Sequence, residues 1–490
     1  MKKKIITMLL AMLILLQTVA CAESSENPDD VSADPAVTTT DVGASEEAAA
    51  ETEPEDSIES VIAQFSDRDY EGYSFRILDR GDTYWGTVDV IAEEMTGEAI
   101  NDGVLERNNL LEEKLNVVVV EQREGSPVNT MKTAVAAQSD DFDVVTDGLK
   151  PLAGTVSGGN LRDFREIGEV KMDQKWWDQH LISGMSVANK VFFMTGDISI
   201  MDNYGTWCMM FNKGILNDNA LENPYDLVHE GKWTIDKLGE MSLATTVDLN
   251  GDGKWTADDQ YGFISESYNT YGLYICFGEK ITDKDENDLP VFVYNEESAI
   301  NSIIKSLEVQ YSNGCNMGLF SGLSREAQFQ AGGGLFYFAG MINITAFRDS
   351  ETDFGIIPAP KYNEEQEQYY STYSPENMTA YSIPVTVADI ARTGDILEAM
   401  AAFSAYTLTP AYYDKTLMGK SVRDAESEPM IELILNSRNF DLGSIFDWGG
   451  TASAVRSMSD PNTVASTLKK LDKAAEKTMT RFLDSLEIDG

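Results

Sequence analysis

Between Asp248 and Asp259 the chain reads Asp-Leu-Asn-Gly-Asp-Gly-Lys-Trp-Thr-Ala-Asp-Asp, with short oxygen-bearing side chains at the first, third and fifth positions. Ca2+ takes several oxygen ligands at close range, and alternating acids on a curled loop supply them. Asp248, Asn250 and Asp252 are the candidate side-chain ligands, and Gly253 takes the sharp-turn sixth position. The Lys254 carbonyl adds an oxygen, and Asp259 closes the loop at the twelfth position, where this pattern ordinarily has the longer Glu. Ca2+ in a structural role is the expected cofactor; an uncalcified Asx/Gly turn is the alternative.

Other chemistry is sparse. His180 and His229 are the two histidines, and neither stands beside a nucleophile or in a zinc pattern. No G-x-S-x-G, H-E-x-x-H or phosphate-cradling loop occurs. Gly332-Gly333-Gly334 runs into Leu335-Phe336-Tyr337-Phe338 without a Lys or Ser/Thr, so a turn into a strand is expected. Acids are so numerous, 82 Asp and Glu against 37 Lys and Arg, that no pair stands out as a catalytic dyad. On the residues alone, a hydrolase using two carboxylates stays open.

The first residues concern location. Lys2, Lys3 and Lys4 precede the apolar run Ile5–Leu16, and Thr18-Val19-Ala20-Cys21 follows, the order of an export signal. A cysteine after small residues suggests lipid attachment at Cys21, although Thr18 stands where such boxes usually carry Leu; cleavage after Ala22 is the alternative. Thirteen acids and no Lys or Arg lie between Glu23 and Glu59. Such a segment buries too little apolar surface to offset its ordering entropy, so a disordered acidic leash is expected. A formal net charge of −45 argues against nucleic acid or anionic lipid as ligand. The body is expected to touch the membrane through its lipid anchor only. Cys208 and Cys276 lie among apolar residues and read as buried hydrophobes; with Cys315 they leave any disulfide open.

The body is too long for one core and fits two lobes. Tyr73–Leu78 alternates like a strand, Asn101–Leu115 has a helical apolar face, Val117–Val120 reads as a fully buried strand, Met131–Gln138 as a helix, and Phe142–Val145 as a strand. That alternation implies a mainly parallel sheet with ligands beyond its carboxyl ends. Further on, Trp207–Phe211, Tyr261–Ile264 and Phe354–Ile357 read as strands, Thr234 as a helix cap, and Ala299–Tyr311, Ile396–Leu408 and Val464–Leu486 as helices.

Several segments resemble the extracellular solute-binding proteins of carbohydrate ABC importers, family 1-like: Gly196-Asp197-Ile198-Ser199 through Asn212-Lys213, Asn223–Val228 with Gly231-Lys232-Trp233-Thr234, Asp353–Lys361, and Phe440–Gly443 with Asp447–Gly450. The resemblance implies an α/β, two-lobed periplasmic-binding-protein-like fold of type II, each lobe a mostly parallel sheet flanked by helices and joined by crossover hinge strands. Its expected hinges are 196–205, 340–345 and 377–384. The domain reading is signal peptide 1–22, linker 23–66, lobe 1 at 67–200 plus 341–382, and lobe 2 at 201–340 plus 383–490. It further implies a lipid-anchored monomer on the extracellular face of the membrane, holding an oligosaccharide between its lobes for ABC permease subunits. An exported glycan-degrading enzyme and a transporter-independent surface sensor are the alternatives. A sugar needs aromatic platforms among acids, amides or Arg. The candidate ligand-binding residues are therefore Arg80, Tyr84 and Trp85, with Asp82; Asp202, Asn203, Tyr204 and Trp207; Asn377; and Asp447 with Trp448.

Overall fold

The computed structural model describes residues 57–81, 88–266, 268–311 and 324–486. Cys21, Asp82, Tyr84, Trp85 and Cys315 therefore lie outside the described residues, as do residues 1–56, expected as signal and acidic linker. The expected end of that linker, 57–66, instead holds the helix Ile58–Ala63, with Val61 and Phe65 buried in one core with Phe75 and Ile77. Pro54–Gly490 forms one compact unit. Among the described residues no helix is long and apolar enough to cross a membrane.

Two four-stranded sheets organise the body. In the first, β1 (Tyr73–Arg80) runs parallel to β2 (Val117–Glu124) on one side and β3 (Val144–Gly148) on the other, and β10 (Thr379–Ser382) joins β3 antiparallel. Period-two alternation sends Phe75, Ile77 and Val144 into one core layer and Leu78 and Val145 into the opposite one. Helices Ala99–Leu115 and Ile390–Ser404 fill the first layer, and helices Pro127–Ala136 and Leu149–Val156 the second. Trp176 and Trp177, buried here, donate their indole N–H groups to Glu398 at 3.0 and 2.9 Å. Burial pushes that carboxyl up to about 7.

The second sheet has the order β5 (Tyr261–Ile264), β8 (Gly334–Gly340), β4 (Trp207–Asn212), β9 (Phe354–Ile357), with β4 antiparallel to both neighbours and β5 parallel to β8. In β4, Cys208 and Met210 face one core layer while Trp207, Met209 and Phe211 face the other. Thr234 caps helix Ile235–Thr245, accepting from the Lys237 N–H at 3.3 Å. A short hairpin of β6 (Thr282–Lys284) and β7 (Pro290–Phe292) and helices Glu297–Gln310, Thr451–Ser457 and Val464–Ser485 complete the body.

The chain crosses between the sheets three times: through the short helix Met201–Gly205 into β4, back along 371–378 into β10, and again after helix Ile390–Ser404, whose core belongs to the first lobe while Leu408 and Tyr412 pack in the second. Three expectations are revised. Met341, Ile342 and Ile344 pack in the second lobe with Phe354 and Ile356, so 340–345 is a core turn and not a hinge. Because β9 pairs with β4, and β10 and helix Ile390–Ser404 serve the first sheet, the switch between lobes in this stretch falls at 371–378, not at 341 and 383. Val118 and Val120 are 42% and 41% exposed, because β2 is an edge strand with one covered face.

Close approach fixes one residue type at the second crossover. A Cβ on Gly148, at the end of β3, would meet the Glu376 carbonyl oxygen at 2.1 Å and its carbon at 2.6 Å. Gly148→Ala should therefore push the crossover away from the sheet and destabilise the protein by about 1–3 kcal/mol. A thermal or urea midpoint unchanged from the parent would contradict this packing.

Candidate functional site

The second crossover runs between the carboxyl ends of the two sheets, and a cavity of about 440 Å³ opens beside it. Trp207, first residue of β4, tilts against Tyr268 with ring centroids 5.5 Å apart and meets Phe338 edge-on at 5.2 Å. Tyr268 stands in the turn after β5, and Tyr337, Ala339 and Gly340 come from the end of β8. Ligands gather at such strand ends because loops there are free to carry function while the sheet holds them.

Polar groups ring these aromatics. The crossover contributes Ser374, Glu376 and Asn377, whose amide donates to Ser374 Oγ at 2.9 Å. Glu266 pairs with Arg325 at 2.6 Å; burial pushes its carboxyl up and Arg325 opposes that. Tyr337 Oη donates to Glu326 Oε1 at 3.1 Å, and Tyr268 Oη to Glu376 Oε2 at 3.3 Å. Glu376 Oε1 lies 3.2 Å from Lys150 Nζ and 3.0 Å from Arg456 Nη1. The Arg456 guanidinium also covers the Tyr268 and Tyr271 rings, 5.0 and 4.8 Å from their centroids. Lys150 belongs to the first lobe, and neither it nor Arg456 lines the cavity, so this ion cluster joins the lobes behind Glu376.

Of the residues expected from sequence, Trp207 and Asn377 line this cavity. Arg80 stands behind it: its guanidinium pairs with Asp147 at 2.7 Å and donates to the Glu376 carbonyl at 2.9 Å. Asp202 and Asn203 line a different cavity, of about 350 Å³, on another side of the hinge. Tyr204 packs edge-on against Tyr412 in the second lobe's core. Trp448 is 4% exposed, stacked on Phe446 at 5.0 Å, and lines a third cavity with helix Val464–Ser485. Asp447 accepts from the Ser453 N–H at 3.1 Å and stands 3.8 Å from Lys150. Glu266, Tyr268, Glu326, Tyr337, Asn343 and Glu376 went unnoticed in sequence. The strand-end rule that points to Arg80, the last residue of β1, points equally to Glu266 and Tyr268 just after β5.

Arg438 fastens the hinge. Its Nη2 lies 3.0 Å from Asp178 Oδ2, at the cap of first-lobe helix Gln179–Met185, and its Nη1 3.2 Å from Asp202 Oδ2. Nη1 also reaches Asn203 Oδ1 and Thr206 Oγ1 at 3.3 and 3.4 Å. Ser371, at the start of the second crossover, bonds on either side of Arg438 through the Ser437 carbonyl and the Asn439 N–H, both at 2.9 Å.

In the Asp248–Asp259 loop, Gly251 and Gly253 take positive φ, and the Val247–Gln260 pair closes the base. Asp248 accepts from the Gly251 and Gly253 N–H groups at 2.7 Å each, Asn250 from Asp252 at 2.9 Å, and Asp252 from Lys254 at 2.8 Å. The curl thus offers Asp248, Asn250 and Asp252. Asp259, however, is buried, with its oxygens on the Thr256 and Leu249 N–H groups, which hold its carboxyl below the usual range. Among the described residues no group of three or more His, Cys, Asp or Glu is gathered to hold a metal.

No family model and no curated protein sequence matches the chain. Solved structures do. An ABC substrate-binding protein of Listeria monocytogenes in complex with cycloalternan superposes with a TM-score of 0.51 at 13% identity, covering 86% of this chain and 100% of its own. A sugar transporter protein of Rhizobium etli in an open conformation gives 0.55 at 13%, covering 84% and 99%. UgpB of Mycobacterium tuberculosis with glycerophosphocholine gives 0.54 at 16%, covering 78% and 95%. The chain has the two-lobed fold of these proteins. The 440 Å³ cavity is walled by the second lobe and the second crossover, and the Arg438 cluster sits on the segments that join the lobes.

Removing the guanidinium strands two buried carboxylates, so Arg438→Ala should cost about 3–5 kcal/mol at pH 8. The pH dependence follows from Asp202, which burial already pushes up to about 7 against the opposing pull of Arg438. Without Arg438 it rises further; below that range the acid is protonated in the folded state and needs no counter-charge. The deficit is therefore full above that range and smaller at pH 5. Urea melts of parent and variant at pH 5 and 8 measure it, and an equal deficit at both would contradict the clasp.

Proposed function

We propose that this protein is an extracellular, lipid-anchored solute-binding protein that captures an oligosaccharide or related glycan fragment between its lobes for ABC-type import. The observation that carries this reading is the Trp207–Tyr268 pair set among Glu266, Glu326, Asn343, Ser374, Glu376 and Asn377. Pyranose rings offer apolar faces to aromatic planes and a rim of hydroxyls to carboxylates and amides. The bound cycloalternan of the Listeria protein supports a glycan, and the ABC description of that relative supports permease partners. The Arg438, Lys150 and Glu376 contacts bridge lobes whose approach would enclose the solute. No covalent change to the solute is involved. Ca2+ in the Asp248–Asp259 loop is part of the proposal, with Asp248, Asn250, Asp252 and the Lys254 carbonyl as ligands and Asp259 turning from its backbone donors to complete the shell.

A thermal-shift screen with a glycan panel, run with and without chelator, tests solute and metal together. A ligand of the native state raises the midpoint by mass action. At least one saccharide should raise it and be recovered unaltered, Trp207→Ala should weaken that saccharide at least about tenfold, or about 1.4 kcal/mol, and chelator should lower the ligand-free midpoint. No shift with any saccharide, or recovery of a cleaved product, rules out the solute reading; indifference to chelator and to added Ca2+ rules out the metal.

The anchor rests on Cys21. Cys21→Ser should release the protein from cells into the medium, and retention equal to the parent in membrane fractions would refute lipid attachment.

A further inference from the structure

Among the described residues that line the cavity, the charged side chains are all of one sign. Among the described lining residues these are Glu266, Glu326 and Glu376, with no Lys or Arg. Residues 82–87, 267 and 312–323 contain no Lys or Arg either, so none of them can add a positive charge. The three acids are not equivalent. Glu376 is shared by Lys150, Arg456 and the Tyr268 hydroxyl. Glu266 is paired with Arg325 at 2.6 Å. Glu326 accepts from Tyr337 Oη at 3.1 Å, and among the described residues no Lys or Arg stands within ion-pair distance of it. Arg325, its neighbour in sequence, is turned to Glu266. Among the described residues, then, one carboxylate of the cavity stands without a counter-ion, in a wall shared with Trp207, Tyr268 and Tyr337.

We infer that the cleft selects saccharides bearing a free amino group, with the ammonium seated against Glu326 and the aromatic faces beside it; this rests on the saccharide reading above and narrows it. An ammonium gains a charge-assisted hydrogen bond from the carboxylate and attraction from the ring quadrupoles. A neutral hydroxyl gains an ordinary hydrogen bond. A uronate or other anion meets like charge, which is how a site rejects the wrong ligand. The expected advantage of amine over hydroxyl at the matching position is about tenfold, or about 1.4 kcal/mol, in the range of the difference between a charged and a neutral hydrogen bond.

Titration calorimetry on the full chain with four matched oligosaccharides tests this: a glucose oligomer, the corresponding glucosamine oligomer, its N-acetylated form and the uronate form. The glucosamine oligomer should bind about tenfold tighter than the neutral and acetylated forms, and the uronate form weakest. Raising the pH above the amine's own pKa should erase the advantage. Glu326→Gln should bring the amine-to-neutral ratio toward one whatever happens to neutral affinity, and Glu326→Asp should keep most of it. Equal binding of amine and neutral forms, or a preference that survives Glu326→Gln, overturns this inference alone. Failure of all four to bind counts against the saccharide reading and takes this inference with it.

Discussion

Glu376 stands where the ends of two sheets meet, and its ion pairs tie the second crossover to both sides. Its carboxylate touches Lys150 of the first lobe and Arg456 of the C-terminal helices, and its carbonyl accepts from Arg80 at the end of β1. A partly exposed ion pair contributes little by itself. Here, however, the acid belongs to a crossover already pressed against Gly148, so little further side-chain freedom is lost in forming the cluster. The same residue borders the cavity through Tyr268. Lobe contact and cavity lining thus share one side chain.

Arg438 does related work elsewhere on the hinge. It is nearly buried, and its two carboxylate partners are more so, which is costly unless all three remain together. Such a cluster favours a single arrangement of the segments it joins. The chain places it on Asp202, Asn203 and Thr206, immediately before Trp207, so the aromatic platform inherits its position from the clasp. The buried ions thus set where that aromatic area is presented.

Local pattern was a good guide wherever structure is local. The alternation in Tyr73–Leu78, the Thr234 cap and the turn after Gly332 all act within a few residues, and the elements formed where expected. The helix read at Ile396–Leu408 instead spans Ile390–Ser404, because Asp389 caps it early and Leu408 crosses to the other lobe's core. Val117–Val120 looked buried because four valines read alike, and only sheet order revealed an edge. For the site, Trp207 and Asn377 could be singled out as an aromatic and an amide near crossovers. Trp448, an aromatic beside Asp447 and two glycines, lies in a separate aromatic cluster with Phe446 and Phe482.

The sequence by itself determined the strands and caps, the buried cysteines and the acidic character of the chain, because periodicity, capping and composition act through near neighbours. Tertiary structure decided which few of 82 acids matter. Glu376 meets Lys150 across 226 residues of chain, and Arg438 meets Asp202 across 236. Coulombic attraction depends on distance through space and on burial. Two carboxylates alike in sequence therefore become a lobe-joining contact or an unpaired wall charge only once the sheets have set their neighbours.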